Sequence, residues 1–406
     1  MNQLYIIPPQ YLPVPAVKGG AVETLIELFL KENEIEKKFN IICFSTLDKR
    51  AAKIAQEYKY TKFIYIDNFH WMAQIKYQFS RIPNKLFRIR PYSLDMFHGF
   101  IYRYIKKRLN NQDFIPDAIL VEGGSNINEF KKISKLLDSE KMFLHVHRNL
   151  TVNHYDFNKQ EASDIFNHLI SVSSYTENTW NKSKKFHDSV VVPNSIDITA
   201  YNKLTVDEIG TLRSSLGYSE KDFVVLFCGR LTEVKGIREL IKAVKEIDED
   251  NIKLLILGSS NFEGAKLTPF QKEIKELAVS TGKRITFTGF IPNADVNKYY
   301  SISQVVVIPS IYEDPFPLVK IEAMASGKPL IITNSGGVPE CVPEGGRIVV
   351  NKDNLDFVNK LSTSILDLFN DPTRVKKMGE INLNYSKLFS RETYYNSISV
   401  VLCRND

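Results

Sequence analysis

Short apolar runs alternate with amphipathic segments along the chain. Each run is rich in β-branched or aromatic residues and ends in glycine, proline or polar residues, which is typical of buried strands. Segments such as AVETLIELFLKENE and IRELIKAVKEI lie between the runs and place apolar residues at helical spacing. Buried strands separated by helices predict parallel sheets that are covered on both faces. The runs are QLYIIPP, FNIICFS, KFIYID, AILVEGG, MFLHVH and LISVSS, then FVVLFCG, KLLILG, ITFTGF, VVVIPS, PLIITN and RIVV.

The stretch VVVPNSID interrupts this alternation near residue 195 with a proline and turn-forming residues. A chain of 406 residues is also too long for one ordinary core. We therefore predict an α/β protein with two doubly wound, Rossmann-like domains that face each other across a cleft. The domains span residues 1–195 and 196–387, and a C-terminal helix within residues 388–406 packs back on the first domain. Ligands of such sheets bind outside the carboxyl ends of the strands, so the chemistry is expected in the cleft.

The composition is that of a globular protein, with 43% hydrophobic and 25% charged residues. The N-terminus has no basic leader before a long apolar stretch, so no signal peptide is predicted. No run reaches the roughly 20 apolar residues that a membrane-spanning helix needs. The cysteines Cys43, Cys228, Cys341 and Cys403 are scattered and show no metal-like pairing, which favours reduced thiols in a cytoplasmic protein.

The segment from residue 71 to residue 110 is strongly basic and rich in aromatic residues. It holds nine lysines and arginines against one acid, Asp95. Aromatic residues mixed with basic ones are typical of a surface that binds anionic membranes. A helix pair with aromatic residues in the core and solvated basic residues is the alternative. No nucleic-acid recognition motif accompanies the charge, so no nucleic-acid partner is predicted.

Two loops that follow predicted strands of the second half carry groups suited to a ligand. Arg230 follows Gly229 directly after one strand, and Lys235 lies five residues further on. Arginine offers a bidentate fork and lysine a point charge, so the pair favours a diphosphate clamp; a solvated loop is the alternative. In NSGGVPE, Gly336 and Gly337 allow a backbone to approach a ligand closely.

The stretch EDPFPLVKIEAMASG joins a loop to a helix. Pro317 suits the first turn of a helix and Gly327 suits its end, which predicts a helix from Pro317 to about Ser326. The free amides at its start favour an anion. Glu322 lies at the edge of the buried stripe, where a carboxylate can accept hydrogen bonds from ribose hydroxyls. Asp314, in the rigid loop before the helix, reaches into the same cleft.

Two histidines end the predicted strand MFLHVH. His145 and His147 are two residues apart and therefore point to the same face of a strand. Such a pair suggests a metal, but no further ligand is evident nearby in the sequence. We expect His147 at the cleft, His145 as a buried and hydrogen-bonded neighbour, and no metal.

These segments resemble the retaining nucleotide-sugar glycosyltransferases of family 4, of GT-B architecture, and in particular their bacterial surface-polysaccharide subgroup. GRLTEVKG, TGF, VVIPSIYEDPFPLVKIEAMASGKPLI and SGGVPE carry a dense resemblance over about residues 220 to 345. In the first half VKGGAVE, LHVHRN, SVSSYTENTW and VVVPNSID resemble the family's glycine loop, strand-end histidine, serine segment and hinge more loosely.

The resemblance implies a retaining hexosyl- or N-acetylhexosaminyltransferase without metal or cofactor. Its first domain would bind a glycan or lipid-linked acceptor and its second the nucleotide-sugar donor, in surface polysaccharide synthesis at the inner face of the membrane. Catalysis would involve Asp314, His147, Arg230 and Lys235. Donor binding would involve Gly19, Gly20, Arg230, Lys235, Phe290, Ile291, Phe316, Leu318, Val319 and Glu322.

Three residues depart from the family pattern. Asp314 replaces the usual glutamate, Pro317 replaces a glycine and removes an amide, and Ser195 replaces the glycine of the hinge. These departures support the main alternative, a non-catalytic glycosyltransferase-like scaffold or partner subunit. Against it, Arg230, Lys235 and Glu322 are all present together. A nucleotide-sugar epimerase on the same fold is the other alternative.

Overall fold

The computed structural model describes residues 1–67, 96–123, 127–149, 162–182, 185–201, 204–258, 267–279 and 281–404. The chain divides into two compact units. Unit 1 comprises residues 1–192 together with 394–406, and unit 2 comprises residues 193–393. Each unit is built on a parallel sheet, which confirms the predicted α/β class with two Rossmann-like domains.

The described strands of unit 1 form a seven-stranded sheet in the order β3-β2-β1-β4-β5-β6-β7. Neighbouring strands are parallel throughout. The central strands are buried on both faces, as their unbroken apolar sequence requires. The strands are β1 Asn2–Ile7, β2 Phe39–Thr46, β3 Thr61–Ile66, β4 Ala118–Glu122, β5 Met142–Val146, β6 His168–Ser171 and β7 Asp188–Val191.

The described strands of unit 2 form a six-stranded parallel sheet in the order β10-β9-β8-β11-β12-β13. The order reverses between β8 and β11, the arrangement that leaves a crevice at the carboxyl ends of these two strands. The strands are β8 Phe223–Cys228, β9 Ile252–Leu257, β10 Ile285–Gly289, β11 Val305–Ile308, β12 Leu330–Thr333 and β13 Arg347–Val350.

Helices connect the strands and cover the sheets. In unit 1 they are α1 Ala21–Glu36, α2 Lys49–Ile54, α3 Met96–Asn110, α4 Ile127–Ser134 and α5 Ser174–Asn181. In unit 2 they are α6 Val206–Ser215, α7 Ile237–Glu246, α8 Pro269–Val279, α9 Asn293–Ser301, α10 Leu318–Ala325, α11 Phe357–Phe369 and α12 Pro372–Ser386. The C-terminal helix is α13 Arg391–Leu402, and its residues from 394 onward belong to unit 1. Within the described ranges, no helix combines the length and the apolar character needed to cross a membrane.

The C-terminal helix α13 contributes to the core of unit 1. Tyr395 is fully buried, and its ring centroid lies 4.9 Å from that of Phe29 on α1. Its hydroxyl donates to the side-chain oxygen of Asn33 at 2.8 Å. The end of the chain therefore completes the hydrophobic cluster beneath β1 and β2.

The basic segment over residues 71–110 is described only in its last part, because residues 68–95 lie outside the described ranges. That part is α3, which buries Phe97, Ile101 and Ile105 in the core of unit 1. Lys106 and Lys107 are exposed. In α3, therefore, Phe97 packs in the core while the two lysines are solvated.

Candidate active site

In unit 2, the loops after β8 and β11 meet at the point where the strand order reverses. The backbone N–H of Ile311 donates to the carbonyl of Val234 at 3.0 Å and joins the two loops. The first loop carries Arg230 and Lys235, and the second carries Asp314. The predicted polar residues therefore come from adjacent strand ends.

Gly236 fixes how closely these loops approach. Its φ of +70° is left-handed, and a Cβ atom added there would lie 1.8 Å from the carbonyl oxygen of Pro309. A short 3-10 turn over Glu233–Lys235 ends at this glycine, and α7 begins at Ile237. Only a residue without a side chain allows this approach, which delivers Lys235 to the second loop.

Lys235 forms an ion pair with Asp314. The ammonium Nζ lies 2.5 Å from the carboxylate oxygen Oδ2 of Asp314, and it also lies 3.4 Å from the hydroxyl of Tyr312. Asp314 is only 3% exposed. A buried carboxylate needs such a partner, so each charge holds the other in place.

Arg230 is exposed, and its guanidinium makes no hydrogen bond or ion pair with any residue that the structure describes. Burial raises the pKa of Tyr312, Asp314 raises it further, and the positive charge of Arg230 opposes this shift. The charges of Arg230 and Asp314 therefore both affect the pKa of Tyr312, in opposite directions. One predicted cation is already paired, and the other presents its charge to solvent.

The glycine turn after β12 packs against the acidic loop. Gly336 has a φ of +52°, and a Cβ atom there would lie 2.6 Å from the backbone oxygen of Asp314. Gly337 donates its N–H to that same oxygen at 2.8 Å, and Gly336 donates to the carboxylate of Glu313. Both glycines thus approach the protein's own loop closely, and a ligand contact at this turn stays a prediction.

Lys320 binds the backbone of this glycine turn. The side chain is fully buried, and its ammonium donates to the carbonyls of Gly337 and Glu340 at 2.6 and 2.7 Å. It also lies 3.6 Å from the ring centroid of Phe316. Burial lowers the pKa of Lys320 to about 7. Sequence reasoning missed this residue, because a lysine within an apolar helix face gives no sign of its partners.

The predicted helix starts one residue later than expected. Pro317 is the N-cap, with an extended ψ of 125°, and α10 runs from Leu318 to Ala325. The side chains of Leu318 and Val319 are half-buried, while that of Phe316 is buried under Lys320. The side chain of Phe316 is therefore largely covered by the protein, and its contact with a donor stays a prediction.

Glu322 on α10 lies beside two tyrosines. The hydroxyl of Tyr300 donates to its oxygen Oε2 at 2.6 Å, and Tyr201, whose ring packs edge to face against that of Tyr300, is close to the same carboxylate. Burial raises the pKa of Glu322, and the two tyrosine hydroxyls act against that rise. Glu322 is half-buried, as its place at the edge of the apolar stripe predicts.

The other predicted donor contacts of unit 2 follow β10. Phe290 is 46% exposed and Ile291 is half-buried. Ser195, the replacement in the hinge motif, is buried, and its hydroxyl donates to the carbonyl of Phe389 at 2.7 Å. The serine therefore makes a bond that a glycine could not make.

In unit 1, the predicted glycine loop and histidines lie at carboxyl ends of strands. Gly19 and Gly20 directly precede α1, on the connection that leaves β1. Glu23, in the first turn of α1, is buried. Burial raises the pKa of Glu23, the charge of His147 lowers it and the charge of Glu122 raises it.

Glu122 joins the two histidines in a buried cluster. Its oxygen Oε2 lies 2.6 Å from Nε2 of His147 and 3.1 Å from Nδ1 of His145. All three side chains are at least nine-tenths buried. Glu122 and His145 are partners in register on the neighbouring parallel strands β4 and β5. The sequence shows an acid at one strand end and histidines at the next, but not that the two strands are neighbours.

Glu122 adds to the two histidines a third group of the type that binds metals. It does not lie near them in the sequence, so no third ligand was expected there. The 2.6 Å between Glu122 and His147 is a hydrogen-bond distance. Two ligands of one tetrahedral zinc, each about 2.0–2.1 Å from the ion, would lie roughly 3.3 Å apart. The geometry therefore favours a hydrogen-bonded cluster, and the absence of a metal stays a prediction.

The histidines determine the ionisation of Glu122. Burial alone would raise its pKa, but the charges of His145 and His147 and the hydrogen bond from His147 outweigh burial and lower the pKa to about 2. The carboxylate is therefore ionised at neutral pH, and His147 is held by an acceptor at Nε2.

Comparison with known proteins supports a glycosyltransferase. Residues 208–383 match the model of the family described as Glycosyl transferases group 1. Spore coat protein SA of Bacillus subtilis (strain 168) is 25% identical over 387 residues, which cover 93% of both chains. A lipopolysaccharide 1,2-N-acetylglucosaminetransferase of Salmonella typhimurium (strain LT2) is 26% identical over 249 residues, which cover 60% of this chain and 62% of that protein.

Solved structures support the fold. The crystal structure of Anabaena Alr3699/HepE in complex with UDP superposes with a TM-score of 0.74 at 18% sequence identity, and the match covers 100% of both chains. At this identity the likeness establishes the shared GT-B fold and no finer property.

We predict that Glu122→Gln removes an acid-sensitive contribution to the stability of unit 1. Because the pKa of Glu122 in the folded chain lies below its ordinary value of 4.5, its contribution is present above pH 4.5 and is lost as the pH falls toward 2. The difference in urea midpoint between the parent chain and the variant should therefore shrink below pH 4.5. Glu36→Gln, at an exposed position of α1, is the control. A difference that does not change with pH would contradict the assignment.

Proposed function

We propose that this chain, whose family match and relatives support a group 1 glycosyltransferase, moves a sugar from a nucleotide-diphosphate donor to an acceptor hydroxyl with retention at the anomeric carbon. The observation that carries the proposal is the exposed guanidinium of Arg230 beside the paired Lys235 and Asp314, at the switch point of the unit 2 sheet. That place is where doubly wound sheets bind nucleotides.

The diphosphate is assigned to three positive groups of unit 2. Arg230 offers a bidentate fork, and Lys235 adds a point charge that is held in place by Asp314. The first amides of α10, those of Leu318 and Val319, add the positive end of a helix dipole. Together they stabilise the negative charge that grows on the departing diphosphate.

The nucleoside is assigned to Glu322 and to the loop after β10. A carboxylate accepts hydrogen bonds from vicinal ribose hydroxyls, and Glu322 is oriented by the hydroxyl of Tyr300. Phe290 is exposed, and it lies beside Ile291 for contact with the base. The HepE structures, which share the fold, contain UDP and UDP-glucose, so UDP is the first donor type to test.

The reaction needs no protein nucleophile. Asp314 is buried and already paired with Lys235, which fits an electrostatic and positioning role better than a covalent one. The departing phosphate oxygen then takes the proton of the acceptor hydroxyl as the new glycosidic bond forms. By the family resemblance, Gly19 and Gly20 are assigned to the donor phosphates and His147 to the transferred sugar or the acceptor. Glu122 fixes the ring of His147.

Thermal melting with UDP-, GDP-, dTDP- and ADP-sugars tests donor binding. A ligand that binds only the folded chain raises the melting temperature. At a hundredfold excess over its Kd, it increases the free energy of unfolding by about 2.7 kcal/mol. We expect one nucleotide class to do so, and hydrolysis of that nucleotide sugar to follow. Binding without turnover would favour the scaffold alternative, and sugar conversion without an acceptor would favour an epimerase. No shift with any nucleotide would overturn the proposal.

Arg230→Ala should lower kcat/KM by about 10²- to 10³-fold, because a group that stabilises developing charge is removed. Glu322→Ala should raise KM for the donor. Arg374→Ala, at an exposed position of α12, is the matched control and should leave activity unchanged. Initial rates of sugar transfer measure all three variants. If Arg230→Ala retains nearly full activity, the diphosphate does not bind at this site.

We also propose that the acceptor is a glycan or lipid-linked precursor at the cytoplasmic face of a membrane. The exposed Lys106 and Lys107 of α3, in the basic segment, support this. Each basic residue near an anionic surface contributes about 1 kcal/mol of binding. Surface polysaccharide synthesis would supply such acceptors.

Co-sedimentation with anionic vesicles at low salt tests the membrane contact. We expect the parent chain to bind, and Lys106→Glu with Lys107→Glu to weaken binding at least about tenfold. The control pair, Lys376→Glu with Lys377→Glu, reverses two adjacent exposed lysines on α12. If the parent chain does not sediment with the vesicles, the membrane proposal is wrong, while donor binding is unaffected.

A further inference from the structure

Two tyrosines from different segments converge on the Glu322 carboxylate. Tyr300 lies on α9 and is fully buried, and its hydroxyl donates to Oε2 of Glu322 at 2.6 Å. Tyr201 follows the 3-10 turn Ile198–Ala200 and lies close enough to the same carboxylate for the two groups to shift each other's pKa. The two rings meet edge to face, with centroids 6.0 Å apart and an interplanar angle of 69°. The carboxylate is therefore fixed on one side before any ligand binds.

The helix end that carries Tyr300 is held by two basic side chains. Lys328 donates to the carbonyls of Ser301 and Ser303 at 3.2 and 2.8 Å. The guanidinium of Arg213 donates to the carbonyl of Ile302 at 2.7 Å. Cations at a helix C-terminus satisfy its last carbonyls and its dipole, so α9 is fixed just where Tyr300 lies.

The segment that carries Tyr201 is tied to the same helix. The side-chain amide of Asn297 on α9 donates to the carbonyl of Ala200 at 2.5 Å. Tyr201 and Tyr300 are thus held as one unit, although 99 residues separate them in the sequence. Neither lies on a loop at the carboxyl end of a strand, where donor contacts were expected.

An ionised carboxylate has about four acceptor positions on its two oxygens. The hydroxyl of Tyr300 occupies one of them and leaves room for the two donors that vicinal ribose hydroxyls supply. Hydrogen bonds to the charged form also keep a partly buried carboxylate ionised. This matters because a protonated acid would lose an acceptor position.

Resting on the proposed function, we propose that Tyr201 and Tyr300 are positioning residues that aim the Glu322 carboxylate at the ribose hydroxyls of the donor. They touch Glu322 and not the reacting atoms. They should therefore affect recognition of the nucleoside and leave recognition of the diphosphate unchanged.

Calorimetric titration of purified full-length protein separates these two parts of the donor. The ligands are UDP, GDP and ADP, inorganic pyrophosphate, and the 2′,3′-dideoxy analogue of the nucleoside diphosphate that binds best. Tyr300→Phe should weaken that nucleotide about tenfold, the factor of one hydrogen bond to a charged group. Binding of pyrophosphate and of the dideoxy analogue should stay within about twofold of the parent chain. Tyr299→Phe, one residue earlier on α9, is the matched control.

Tyr201→Phe repeats the same titrations on the other segment and replaces Tyr300→Phe if that variant folds poorly.

A pH series adds a readout that simple loss of packing would not give. The titratable groups around Glu322 are Tyr201, Tyr300 and Cys228. Because nucleotide binding requires ionised Glu322, affinity is lost as the pH falls through its pKa. Removing one hydroxyl should move that loss to higher pH.

Unchanged nucleotide affinity in both tyrosine variants would overturn the inference. An equal loss for nucleotide and pyrophosphate would also overturn it, because the tyrosines would then support the whole site and not the nucleoside contact. If the parent chain binds pyrophosphate as tightly as every nucleotide, Glu322 contributes nothing to recognition of the nucleoside, and the inference is wrong. If the parent chain binds none of the nucleotides, the proposed function itself fails, and the inference fails with it.

Discussion

The contact between Gly236 and the carbonyl of Pro309 is the constraint on which the unit 2 site depends. No side chain fits between these two backbones, since an added Cβ atom would lie 1.8 Å from the oxygen. The loops after β8 and β11 therefore meet, and Ile311 bonds to Val234 across the junction. This approach brings Lys235 to within 2.5 Å of Asp314. Without it, the cation would extend into solvent and the buried carboxylate would lose its partner, at a cost that is typically several kcal/mol.

Buried cations that bind carbonyls hold the rest of this site. Lys320 binds the turn after β12, while Lys328 and Arg213 bind the end of α9. A buried ammonium or guanidinium is costly unless its donors are satisfied, so each of these side chains fixes the backbone that satisfies it. The first cation supports the loop of Asp314 through the N–H of Gly337, and the other two support Tyr300. The groups assigned to the donor are thus supported by cations whose own donors bind backbone carbonyls.

The sequence was sufficient to predict the two α/β units, the residues of the strand-end loops and every described strand except β7, because hydrophobic period, proline and glycine act locally. The last two residues of β7 belong to VVVPNSID, the stretch interpreted as a boundary. It also placed Glu322 at the edge of the apolar stripe of α10. It could not predict Glu122 beside His147, since that contact depends on β4 and β5 being neighbours. The tyrosines around Glu322 were missed for the same reason, because Tyr201 and Tyr300 come from segments that meet only in the folded unit. The lysine of α10 was missed because burial among carbonyls leaves no trace in residue type.

The departures from the family pattern leave the groups of the proposed anion site in place. Pro317 is the N-cap of α10, outside the helix, so the helix keeps its own first amides at Leu318 and Val319. Asp314 is shorter than glutamate by one methylene, yet its backbone oxygen is fixed by Gly337 and its carboxylate meets Lys235. The lysine comes to the shorter acid because the glycine contact draws the loops together. An incoming diphosphate would then share Lys235 with Asp314 and depend more on the unpaired charge of Arg230. A scaffold that only retained the fold would have no physical need for that exposed guanidinium at the switch point of its sheet.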